Sequence, residues 1–83
     1  MNYLYFVSYD LRKPEKDYPR LWAALKALNA KRLLFSEWSL RSTSSLQQVY
    51  DYFVKFIDSN DGLMVTFVNE ARGSGTQTPL SQV

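Results

Sequence analysis

Residues 3–9, Tyr-Leu-Tyr-Phe-Val-Ser-Tyr, are aromatic and branched side chains with no glycine or proline among them. Such a run favours a strand, and because it is apolar on both faces it reads as a central strand rather than an edge. Asp10 ends it. A charged loop follows over 11–17, in which Pro14 stops further pairing.

Beyond the loop the apolar period changes. Pro19 suits a first helical residue, with Tyr18 before it held extended as the cap. Leu21, Trp22, Leu25 and Leu28 then recur at helical spacing, and Asn29 suits the end of a helix over 19–29. Lys31 to Phe35 reads as a strand. Ser36 to Arg41 alternates, with Trp38 and Leu40 on one side, so 31–41 is either two strands joined tightly or one strand sharply bent. A second helix opens at Ser42-Thr43-Ser44-Ser45. Ser44 with Gln47, or Ser45 with Gln48, has the capping-box spacing. Leu46, Val49, Tyr50, Phe53 and Ile57 make its apolar stripe. A turn at 58–62 leads into a last strand over 63–68, again apolar on both faces.

The element order is β-α-β-β-α-β, the split βαβ of an α+β, ferredoxin-like domain. Right-handed crossovers place both helices on one face of an antiparallel sheet and the first and third strands in its middle. The other face is left to a partner or a ligand. Residues 1–70 form this domain. After Arg72 the tract Gly73-Ser74-Gly75-Thr76-Gln77-Thr78-Pro79 is polar and glycine-rich, so 71–83 reads as a flexible C-terminal tail.

Composition then limits the chemistry. The chain has 83 residues with no cysteine and no histidine. Disulfides, zinc sites built on sulfur or imidazole, and histidine-activated nucleophiles are all excluded. A domain of this size buries only about 60% of its unfolded surface, and a second subunit is the natural support for so thin a core. The apolar N-terminal run is too short to span a bilayer and has no basic region before it, so no membrane contact and a cytoplasmic setting are expected. Charge is uneven. Residues 1–41 carry eight Lys/Arg against four Asp/Glu, a net of +4; residues 42–83 carry two against four, a net of −2. A basic half attracts a phosphate backbone, and it also serves as an ordinary solvated surface.

Asp10 is the leading site candidate. A carboxylate at the end of a buried strand suits Mg²⁺ or Mn²⁺, which take oxygen ligands and keep several waters. The structural alternative is that Asp10 only caps the turn before Pro14. Asp58-Ser59-Asn60-Asp61-Gly62 begins like a calcium loop, but its twelfth position is Asn69 where glutamate is needed. Trp22 and Trp38 lie on periodic apolar faces and read as core rather than as base-stacking platforms. Tyr3 and Tyr5 share one face of the first strand, as base-stacking aromatics do in the RNA-recognition module, although the Lys/Arg-Gly-aromatic signature of that module is absent.

The run Tyr5-Phe6-Val7-Ser8-Tyr9-Asp10, the basic loop, the first helix, and Lys31-Arg32-Leu33-Leu34-Phe35-Ser36-Glu37-Trp38-Ser39-Leu40 together resemble the CRISPR-associated Cas-two family. The VapD ribonucleases share that fold and its aspartate, and the resemblance covers about residues 3–68. It implies a homodimer in which two copies of Asp10 face each other across a two-fold axis. They would share one Mg²⁺ or Mn²⁺ that activates water to cleave RNA or DNA. Ser36 stands at the family's serine position and is expected to orient that water or the backbone. The resemblance also implies a CRISPR adaptation partner protein. Arg12, Lys13 and Arg32 are taken as phosphate contacts by charge and nearness in sequence. Two features depart from the family: Asn29-Ala30 replaces a common glycine, and residues 73–83 replace an apolar stretch that pairs across the dimer. The alternative function is a nucleic-acid-binding or scaffold dimer without catalysis, and a third is a small regulatory subunit.

Overall fold

The computed structural model describes residues 2–11 and 14–83, with the side chains of 14–18 outside that description. Four strands, β1 (Tyr3–Asp10), β2 (Lys31–Leu34), β3 (Glu37–Ser42) and β4 (Gly62–Phe67), alternate with two helices, α1 (Pro14–Ala27) and α2 (Leu46–Val54). A short 3-10 turn, Leu80–Gln82, follows. The sheet runs β2-β3-β1-β4 and every neighbouring pair is antiparallel. β1 and β3 are central, as the split βαβ plan requires, and the fold is α+β and consistent with a ferredoxin-like one.

β1 is central because both of its neighbours need it. Tyr5, Val7 and Tyr9 stand opposite Leu40 and Trp38 of β3 on one side and Phe67, Val65 and Leu63 of β4 on the other. This face meets both helices. Leu21, Ala24 and Leu25 of α1 and Val49 and Phe53 of α2 join Tyr5, Val7, Tyr9, Trp38 and Leu40 in one buried cluster. Tyr5 is 1% exposed, and its hydroxyl donates to the Ser44 carbonyl at 2.6 Å. The shared face of Tyr3 and Tyr5 is therefore the helix-covered one, which removes the likeness to a base-stacking platform.

α1 begins five residues before the expected start. Either proline suits a first turn, and the helix uses Pro14 there, leaving Pro19 inside it. Pro19 is exposed, so the carbonyl it cannot partner faces the wet side of the helix. The helix end is settled by local chemistry. Asn29 has φ of 63°, its N–H bonds the Lys26 carbonyl, and the Ala30 N–H reaches back to Leu25. Those two bonds are a Schellman closure, and asparagine tolerates the left-handed backbone it needs.

α2 uses Ser45, not Ser44, as its cap. The Ser45 hydroxyl accepts from the Gln48 N–H at 3.2 Å, and the Gln48 side chain accepts from the Ser45 N–H at 2.9 Å. Its buried stripe is Val49 and Phe53, with Tyr52 and Phe56 packed alongside; Leu46 and Tyr50 are exposed. Between the helices, 31–42 is two strands, turning at Phe35-Ser36. The β2–β3 register shifts between Arg32 and Leu34, so a bulge bends β2 at this point.

Residues 71–83 return to the sheet. The Gln77 N–H donates to the Leu33 carbonyl of β2 at 2.8 Å, and Arg41 of β3 donates to the Val83 main-chain oxygen. Among the described residues, no helix is long and apolar enough to cross a membrane.

Candidate functional site at the end of the central strand

Because β1 alternates, its even residues Leu4, Phe6, Ser8 and Asp10 face away from the helices. Antiparallel register adds Arg41, Ser39 and Glu37 of β3 opposite the first three, and Thr66, Met64 and Gly62 of β4 opposite the last three. Asp10 is exposed at the last position of the strand. Its β4 partner is Gly62, where an added Cβ would lie 3.4 Å from the Asp10 Cβ, so the missing side chain leaves the aspartate approachable. A shallow depression of about 260 Å³ lies here, lined by Ser8, Tyr9, Asp10, Gly62 and Met64.

A second carboxylate shares this end of the face. The Ser8 hydroxyl donates to Glu37 Oε2 at 2.6 Å, which fixes the glutamate beside the strand. Asp10 is a diagonal neighbour of Glu37, and diagonal positions lie about 7–8 Å apart. Magnesium is commonly held by one or two carboxylates together with waters and substrate phosphates, and this pair suits that mode. No group of three or more acidic, cysteine or histidine residues that could cage a metal occurs among the described residues.

Ser36 comes close to this end through its main chain. The Tyr9 N–H donates to the Ser36 carbonyl at 3.1 Å, so the serine sits where the β2–β3 turn passes the last residues of β1.

Arg32 is placed elsewhere. It pairs with Trp38, which puts it on the helix side of the sheet, opposite to Asp10. Its guanidinium carbon lies 4.4 Å from the Trp22 ring centre and 5.0 Å from that of Phe35, and Nη2 donates to the Phe35 carbonyl at 2.9 Å. Arg32 Nε is buried and has no hydrogen-bond partner among the described residues. Its stacking on Trp22 holds the turn to α1. Arg12 and Lys13 lie outside the described residues.

The same corner contains a closed hydrogen-bond junction. Tyr9 Oη accepts from Trp22 Nε1 at 2.7 Å and from Trp38 Nε1 at 3.0 Å, and donates to the Phe35 carbonyl at 2.9 Å. Tyr9 therefore fixes the turn behind the site, while its neighbour Asp10 faces the open side.

Sequence reading singled out Asp10 and Ser36 but not Ser8 or Glu37. Strand alternation would have put Ser8 on the face of Asp10. Only the β1–β3 register, across 29 residues, brings Glu37 to it. No protein-family model matches the chain, and no solved structure is significantly similar to it.

Proposed function

We propose that this chain is a Cas-two/VapD-like nucleic-acid-acting protein, working as a homodimer and cleaving RNA or DNA phosphodiesters with Mg²⁺ or Mn²⁺ at Asp10. The observation that carries this reading is the position of Asp10: exposed, at the end of a central strand, on the uncovered face, with Glu37 as its diagonal neighbour. The described residues of one chain offer a pair of carboxylates here and no larger group, and a second copy across a two-fold axis would double the number. The ion, when bound, would acidify a water and offset charge on the phosphate. Asp10 would be a direct ligand. Glu37, held by Ser8, would accept a proton or orient a bound water, and the main chain at Ser36 would fix the turn beside them.

Labelled RNA and DNA incubated with Mg²⁺, Mn²⁺ or EDTA test the reading. Cleavage is expected with either metal and not with EDTA, and Asp10→Ala should reduce it by about 100-fold or more, the scale of a lost metal or acid–base group. Cleavage that survives Asp10→Ala, or none under any condition, overturns the catalytic assignment. Light scattering at micromolar concentration should give twice the 9.7 kDa chain mass; a monomer defeats the shared-ion geometry. The second reading, binding without cleavage, is favoured by the lack of a three-ligand cage among the described residues of one chain. Salt-sensitive binding with no cleavage would support it.

A further inference from the structure

The uncovered face has a second end. Six residues along β1 from Asp10, about 20 Å at strand rise, Leu4 stands opposite Arg41. Next to Arg41 on the same face is Ser39, and opposite Ser39 on β2 is Lys31. Lys31, Ser39 and Arg41 line a cavity of about 300 Å³ together with Asn2, Leu28, Asn29 and Val83. No acidic side chain among the described residues lines it. Lys31 and Arg41 are themselves exposed.

Val83 closes this cavity. Arg41 Nε and Nη2 both donate to the Val83 main-chain oxygen, at 3.3 and 3.2 Å. A guanidinium fork fits two parallel oxygens, with charge-assisted bonds near ~2.7–2.9 Å. Both contacts to Val83 are longer than that, and a phosphate that offers two oxygens at the shorter distance is a closer match.

Two buried residues show how much the returning segment covers. Ser39 is 2% exposed although it faces away from the helices, and Leu33 is 2% exposed although it stands outside the helix-side cluster. The returning segment reaches both places, with the Gln77 N–H bonded to the Leu33 carbonyl and Val83 beside Ser39 in the cavity wall. That segment includes Gly75 at φ of 69° and is mostly exposed, so few apolar contacts hold it down.

We infer that Lys31 and Arg41 form a phosphodiester-binding site on the open sheet face, and that residues 73–83 are a strap which covers it until a nucleic-acid strand displaces them. The inference rests on the nucleic-acid reading of Asp10. It adds where the backbone is gripped and what regulates access. A strand held at Lys31 and Arg41 and running along β1 reaches Asp10 at the acidic end.

The test uses the full chain carrying Asp10→Ala, so that cleavage does not interfere, and a fluorescent single-stranded RNA with its DNA counterpart. Gln77→Pro removes the N–H that pins the strap and should tighten binding about fivefold, the effect of one net hydrogen bond. Lys31→Glu with Arg41→Glu should weaken binding by about 100-fold and flatten its salt dependence. Adding RNA, or inorganic pyrophosphate as a minimal probe, should also speed hydrogen exchange at the Gln77 amide. The strap is wrong if Gln77→Pro binds no tighter and the Gln77 amide stays protected in the presence of either probe. The anion site is wrong if the double charge reversal leaves both binding and the pyrophosphate response unchanged. Failure of the Asp10 reading looks different: pyrophosphate releases the strap through Lys31 and Arg41, but the wild-type chain cleaves nothing.

Discussion

β1 presents two faces that differ in almost everything except the backbone they share. Its odd residues Tyr5, Val7 and Tyr9 are at most 5% exposed and meet both helices; its even residues Leu4, Phe6, Ser8 and Asp10 face away from them. On the odd face the Tyr9 hydroxyl is fully used, by two indole donors and one carbonyl acceptor. On the even face two carboxylates stand near each other at one end and two cations at the other. A buried polar group has to be satisfied within the fold, whereas a charged group at the surface can be reached by a ligand from solvent. Stability should therefore follow the odd residues and activity the even ones, and substitutions along this one strand can separate the two.

Tyr9→Phe should have the largest effect. It keeps the ring but removes the acceptor of two indole N–H groups and a donor to Phe35, one indole belonging to a residue only 3% exposed. Leaving such donors unpartnered should cost about 3 kcal/mol, measured as a lower urea midpoint at unchanged slope. A loss under 1 kcal/mol would mean that the junction is wetter than its geometry indicates. Metal-dependent cleavage by the folded fraction should remain.

Ser8→Ala should fall between the two classes. Its hydroxyl holds Glu37 at 2.6 Å from a half-buried position, a charge-assisted bond partly screened by solvent. Loss of about 1 kcal/mol of stability is expected. Cleavage should drop as well, because Glu37 would no longer be held near Asp10. Glu37→Gln separates the effects, since an amide oxygen can still accept from Ser8 while the charge is gone. If Ser8→Ala changes only stability and Glu37→Gln changes nothing, Glu37 does not belong to the site.

How much of this was legible beforehand depended on the range of the interaction. Local chemistry could be read: Asn29 closing α1, a serine–glutamine capping box, two helical stripes, and an apolar run that had to be central. The start of α1 was ambiguous because Pro14 and Pro19 both satisfy the same first-turn rule. Strand parity was not readable for β1, since a strand apolar on both sides does not declare which side meets the helices. The contacts of β3 and β4 decide that, and they turned Tyr5 into the core. Arg32 looked like any exposed cation in a basic half. Its position over Trp22 depends on how α1 packs on the hairpin. Gly73 to Pro79 has the composition of a loose tail, and its return to Leu33 is a main-chain bond that composition cannot register.

Asp10→Asn carries the smallest expected effect on stability and so bounds the comparison most tightly. Asp10 is exposed, and the like charge of Glu37 is a diagonal neighbour. Replacing this one exposed charge should leave stability in EDTA within about 0.5 kcal/mol of wild type. A site that binds a cation separates the two proteins when the cation is present, because a ligand bound only by the folded chain stabilises it by mass action. Raising Mg²⁺ should therefore increase the melting temperature of the wild-type chain and leave Asp10→Asn unmoved. Equal responses of the two proteins would remove the ion from Asp10. A loss well above 0.5 kcal/mol in EDTA would show the aspartate serving the fold, and the division of labour along β1 would end one residue earlier, at Ser8.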